Sequence, residues 1–285
     1  MIQQEQGVLA DHDPEYLHHM RVESRRLGTA LRVFRAMVNL PKAAREPRVR
    51  ALTRALGRLR DLDVQIAAIE TDYSHRLSSS QQKLLNKILV TLEKQRCQAF
   101  TEVESRLAGS SYQKLKAAYE AWLQEPQYTL LATLPLQLLM PELLSPLLSE
   151  LLLHPAWLIS VHETSAESKQ VLHDLRKVCK YVHYQAEFFT HFYSHAFEDW
   201  MDALKELQDN LGKVQDACVL LKLLAEELPE EVSLLELQQM IETDQVNVMA
   251  NWETLRHQYL DPHFRRSLHQ MLLTSFTQGL RTIPV

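Results

Sequence analysis

The sequence predicts an all-α fold built from two related helical halves. Three observations predict it. Apolar residues recur at three- and four-residue steps along most of the 285 residues, the signature of amphipathic helices. Glycine occurs only 6 times, too rarely for a turn-dense β architecture. Sliding the sequence by 155 residues aligns two separate blocks in one register, the mark of an internal duplication.

The elements follow in order. Asp13-Pro14-Glu15 offers an N-cap aspartate and a proline at the first turn, opening a helix over 14–40 that Pro41 closes. Glu46-Pro47 opens a second helix over 46–72. Two more are expected over 79–108 and 112–124. These make a first half of about 14–125. A connector of about 126–163 follows, and a second half of about 164–280 carries helices near 165–194, 197–228, 231–258 and 262–279, with Pro229 and Pro262 as punctuation. Residues 130–153, LLATLPLQLLMPELLSPLLSELLL, are long enough to span a bilayer. They contain Glu142, Glu150, Pro135, Pro141 and Pro146, and prolines break the hydrogen bonding that lipid demands. The expectation is short buried helices linking the halves, with no membrane partner.

In the repeat, His18 meets His173, Arg21 meets Arg176, Arg25 meets Lys180 and Phe34 meets Phe189. Further on, Leu52, Leu56, Gly57, Asp61 and Val64 meet Leu207, Leu211, Gly212, Asp216 and Val219, and Arg58 meets Lys213. Each half then has the size of a four-helix unit.

Net charge is -5, which by itself points to no anionic partner. The distribution does. From Arg21 to Arg60 there are twelve lysines or arginines against Glu23 and Glu46, a net +10 on a chain whose remainder carries −15. The acidic run Glu226, Glu227, Glu230 and Glu231 reads as a solvated helix end. The three cysteines, Cys97, Cys179 and Cys218, are scattered and odd in number, which suits a reduced, cytoplasmic setting and no zinc site. The polar stretch from Met1 to Pro14 gives no reason to expect a signal peptide.

His18, Arg21, Arg25, Gly28, Arg32 and Arg35 step by three and four residues, as do His173, Arg176, Lys180 and His183. Each set lies along one helix face. Like charges one turn apart repel, so a stacked stripe calls for an anion. Arginine offers a planar fork of donors, lysine a compact charge and protonated histidine two donors, all suited to phosphate. Arg58 and Lys213 on the following helices extend the set.

These residues carry a family resemblance. LHHMRVESRRLGTALRVF (17–34) resembles the signature helix of the CHAD family, the conserved histidine α-helical domain, and LHDLRKVCKYVHYQAEFF (172–189) resembles its second-half signature. LGRLRDLDV (56–64) and LGKVQDACV (211–219) are similar to the segments that follow each signature. The resemblance covers about 14–279 and implies one domain of two pseudo-symmetric four-helix bundles, with basic helices facing a central cavity. It implies binding of inorganic polyphosphate, with localisation to polyphosphate granules and polyphosphate-metabolising enzymes as partners. By matching position, His18, Arg21, Arg25, Arg26, His173, Arg176, Lys177 and Lys180 are the implied ligand-facing set. The family favours arginine where this sequence has Gly28 and His183.

Other functions find less support. There is no P-loop, no G-x-S-x-G and no H-E-x-x-H, so no enzyme and no cofactor are expected. Asp61 and Asp63 offer oxygens for magnesium, but beside so many arginines they are expected to pair with those. His183, Glu187, His191 and His195 follow at four-residue steps, yet four such residues drift around a helix axis and read as a polar face rather than a metal site. RNA is the nearest rival ligand. Tyr181 and Tyr184 interleave with cations in the second half, but the first half offers only Phe34 for base stacking. A helical scaffold for a protein partner is the remaining alternative.

Overall fold

In the computed structural model, described for residues 1–163, 165–227 and 235–274, the chain is helical throughout and has no strand among the described residues. The helices are α1 (Glu5–Ala10), α2 (Pro14–Val33), α3 (Glu46–Ala68), α4 (Ser79–Ala108), α5 (Ser110–Gln124), α6 (Leu136–Leu152), α7 (Ala166–Ala186), α8 (His195–Glu227), α9 (Leu235–Val248), α10 (Trp252–Leu260) and α11 (Pro262–Leu273). The acidic run from Glu226 to Glu231 lies outside the described side chains. Two compact units emerge, one of Met1–Ala132 with Val219–Ile241, the other of Thr133–Cys218 with Glu242–Val285.

In the first unit α1 packs on α2, α2 on α3, α3 on α4 and α4 on α5. The sequence of α3 shows why. Val49, Leu52, Leu56, Leu59, Leu62 and Ile66 recur every three or four residues and all are buried, leaving the arginines between them on the opposite face. The Asp13 side chain accepts from Glu15 N–H at 2.9 Å with Pro14 in the first turn, as the expected cap requires. The helix stops at Val33 rather than running to 40. Backbone beyond it pairs with a distant segment instead: Asn39 N–H donates to Gln127 O at 2.9 Å and Thr129 N–H to Met37 O at 3.0 Å.

In the second unit α6 packs on α7 and α11. Leu136–Leu158 is long and apolar enough, by length and composition, to cross a membrane. The expected short helices are here one helix that holds Pro141 and Pro146 in its interior. Burial of Met140, Leu144, Leu147, Leu148 and Leu151 offsets the lost backbone bonds. Near its end Trp157 stacks on Tyr259 at 4.2 Å and on Trp252 at 5.7 Å, and its indole N–H reaches Leu151 O at 2.7 Å. The helix expected over 231–258 is instead α9 and α10, separated by a turn at 249–251. All three cysteines are free.

Candidate anion-binding site

α2 presents His18, Arg21 and Arg25 on successive turns, and α3 runs beside it. Their register is set at Ser24, fully buried, whose hydroxyl donates to Arg21 O at 3.0 Å and lies 3.1 Å from the Thr53 hydroxyl. That register lays the Arg21 side chain across buried Gly57, where a Cβ would come within 3.7 Å of Nε. One turn on, Asp61 Oδ1 faces Arg21 Nη2 at 3.7 Å.

The second unit repeats the arrangement on α7 and α8. Arg176 lies across buried Gly212, where a Cβ would come within 3.3 Å of Nε, and Asp216 Oδ1 faces Nη2 at 4.0 Å. The duplicated residues His-x-x-Arg and Gly-x-x-x-Asp are thus one spatial device used twice. Both arginines are shielded, with side chains 28% and 18% exposed. Both aspartates stand beyond hydrogen-bonding distance. Among the described residues neither guanidinium makes a hydrogen bond, and each Nε is buried without an acceptor. Unspent charged donors held in a fixed place are what an anion needs.

The first unit also holds a cavity of about 590 Å³. Arg21 and Gly57 form part of its wall, and α3 supplies Arg50, Thr53, Arg54, Arg58 and Asp61. Gln65 and Gln95 add amides, Leu62 and Leu223 add apolar surface, and no aromatic ring among the described residues lines it. Among the described lining residues four arginines stand against one aspartate, which makes that wall net positive.

The other expected site residues divide. Arg58 lines the cavity but also bonds Glu102 at 3.0 Å. Arg32 bonds Glu46 at 2.8 Å, and Lys177 bonds Asp174 at 2.8 Å. His18, Arg25 and Arg26 stand on α2 outside the cavity lining. His173 and Lys180 are partly buried on α7, and Lys213 is exposed on α8. Burial lowers the pKa of His18, with the Arg60 charge adding to it, and lowers that of His173, with Lys177 and Arg176 adding. Arg50, Thr53 and Arg54 line the site although they are not singled out in the sequence; they follow the same three- and four-residue steps as the α2 stripe.

Asp61 and Asp63 each face an arginine. Asp63, 8% exposed, accepts from Arg96 at 2.8 Å, and the same guanidinium makes two bonds to Asp11 at 2.8 and 2.7 Å. α7 ends at Ala186 and the chain tightens to a 3₁₀ turn over Glu187–Phe192, so His183, Glu187, His191 and His195 share no continuous helix face. No group of three metal-ligating side chains occurs among the described residues.

Comparison with known proteins agrees with this architecture. The solved CHAD domain from the plant Ricinus communis has a similar fold, with a TM-score of 0.57 at 23% identity, covering 95% of this chain and 85% of that one. No curated protein matches the chain. The profile of the family described as CHAD domain matches residues 1–225, most of the sequence and both signature helices, and the chain belongs to that family.

Proposed function

We propose that the chain binds inorganic polyphosphate without catalysing its turnover. The observation that carries the reading is the duplicated arginine bed: Arg21 over Gly57 and Arg176 over Gly212, each guanidinium shielded and making no hydrogen bond among the described residues. Phosphate oxygens are the natural acceptors for such forks. The absence of aromatic rings among the described residues lining the first unit's cavity favours a ligand with phosphates and no bases over RNA. On this reading the basic stripes of both halves, including His18, Arg25, Arg26, Arg32, Arg58, His173, Lys177, Lys180 and Lys213, neutralise the ligand's charge. The chain then acts in the cytoplasm at polyphosphate granules and presents polyphosphate to the enzymes that make or consume it.

The test is a salt titration of long-chain polyphosphate binding with single-stranded RNA of equal charge as competitor. With about six phosphates engaged and roughly 0.7 counterions released per contact, the log–log slope is expected near −4. Arg21→Ala with Arg176→Ala should weaken binding far more than Lys222→Ala, which lies on an exposed side chain. Equal competition by RNA, or equal effects of these substitutions, would remove the reading.

A further inference from the structure

The two halves share the arginine bed but not what surrounds it. On α3, Arg50, Arg54 and Arg58 stand one turn apart, about 6 Å along the axis per four residues, and all three line the cavity. Shifted by 155 residues, their counterparts on α8 are Lys205, Asp209 and Lys213. Asp209 interrupts the cationic row and stands four residues from each lysine, so the α8 face supplies its own counter-charge. On the α3 face the counter-charge, among the described residues, stands only at the two ends of the row, not at its centre. Glu46 lies 3.9 Å from Arg50 and Glu102 3.0 Å from Arg58, but Arg54, exposed, has no acidic partner among the described residues. The preceding helices diverge the same way, with Arg26 replaced by Tyr181 and Arg32 by Glu187.

We propose that anion binding is concentrated in the first half, in the α3-walled cavity, with Arg50 and Arg54 as ligand-contacting residues, and that the matching α8 face, interrupted at Asp209, contributes only a minor share. The inference rests on the polyphosphate reading above and deepens it. The duplicated bed gives each half one placed arginine. Among the described residues only the first half surrounds it with a cationic row, long enough to meet several consecutive phosphates of one chain. Thr53 and the amides of Gln65 and Gln95 supply neutral donors at the same wall, which suits a run of phosphoryl oxygens longer than the guanidinium forks can cover.

Two charge-matched pairs test this in the full chain, with binding of long-chain polyphosphate at low salt as readout. Arg50→Gln with Arg54→Gln should weaken binding at least tenfold. Lys169→Gln with Lys205→Gln, both exposed in the second half, removes the same charge and should change it less than twofold. Asp209→Arg should strengthen binding about threefold or more by restoring a cationic row on α8. Thermal melts of each variant identify any that fail to fold; because all five positions are exposed, native-like melts are expected. Equal losses from the two pairs, or a larger loss from the second-half pair, overturn the asymmetry and leave polyphosphate binding standing. Absence of binding by the unsubstituted chain overturns both.

Discussion

At positions 57 and 212 a missing Cβ leaves room for an arginine side chain, and the two sites differ by a few tenths of an ångström. A Cβ at 57 would meet Arg21 Nε at 3.7 Å, an ordinary contact, whereas at 212 it would meet Arg176 Nε at 3.3 Å and Nη2 at 3.5 Å. Alanine in a helix interior is favoured over glycine by about 0.5–1 kcal/mol. Gly57→Ala should therefore stabilise the chain by about that amount in urea melts and leave polyphosphate affinity nearly unchanged. Gly212→Ala should gain less, because Arg176 must move, and should weaken binding as the guanidinium leaves its place. The reverse order would show that the arginines do not rest on the glycines. The sequence repeat pairs these glycines and aspartates in register, but pairing alone does not say what they touch. That Gly57 serves Arg21, thirty-six positions earlier, emerges only when α2 and α3 are packed.

At the scale of elements, α3 and α4 are clamped through Arg96. It holds Asp63 of α3 and Asp11, a residue in left-handed backbone just beyond α1, at φ 50. Burial pushes the Asp63 carboxyl up against the pull of Arg96, while the bonds to Asp11 raise the Arg96 guanidinium. Arg96→Met strands a buried carboxylate and should cost about 3–5 kcal/mol; adding Asp63→Asn should recover much of it, read by urea melts. α2 and α7 each carry a histidine whose pKa is lowered, first by burial and then by neighbouring cations; His154 is lowered too, by burial. A lowered histidine pKa means the native state holds fewer protons than the unfolded chain. Stability from these groups is full above the unfolded value of about 6.5 and is lost as pH falls through the folded values. The free chain should thus be less stable at pH 5.5 than at 7.5, and His18→Gln with His173→Gln should flatten part of that drop. Bound phosphate favours the imidazolium, so polyphosphate should bind tighter at 5.5, an effect the same double substitution should reduce. Helix existence was legible wherever apolar periodicity was long, as in α4, expected over 79–108 and found at Ser79–Ala108. It failed where distant backbone intervened, at the end of α2 against 127–129, and where apolar burial kept Pro141 and Pro146 inside α6.

At the scale of the whole molecule, a net charge of -5 coexists with a first-half block of +10, and the mean value conceals the attraction. A polyanion that binds the folded chain and not the unfolded one stabilises it by mass action, by about 2.7 kcal/mol at a hundredfold excess over Kd. At roughly 2–4 °C per kcal/mol for a chain of this size class, the melting midpoint should rise by about 5–10 °C. The attraction is screened within about 10 Å at 0.1 M salt and about 3 Å at 1 M. The shift should accordingly be large in dilute buffer and vanish near 1 M sodium chloride, while the midpoint of the free chain, whose ion pairs at Arg96 and Lys116 are largely shielded from solvent, changes little. Arg21→Ala with Arg176→Ala should abolish the shift at low salt without lowering the free midpoint much, since neither guanidinium makes a hydrogen bond within the described fold. A shift that survives high salt, or survives that double substitution, would place the ligand on apolar or uncharged surface and dissociate stabilisation from the arginine beds.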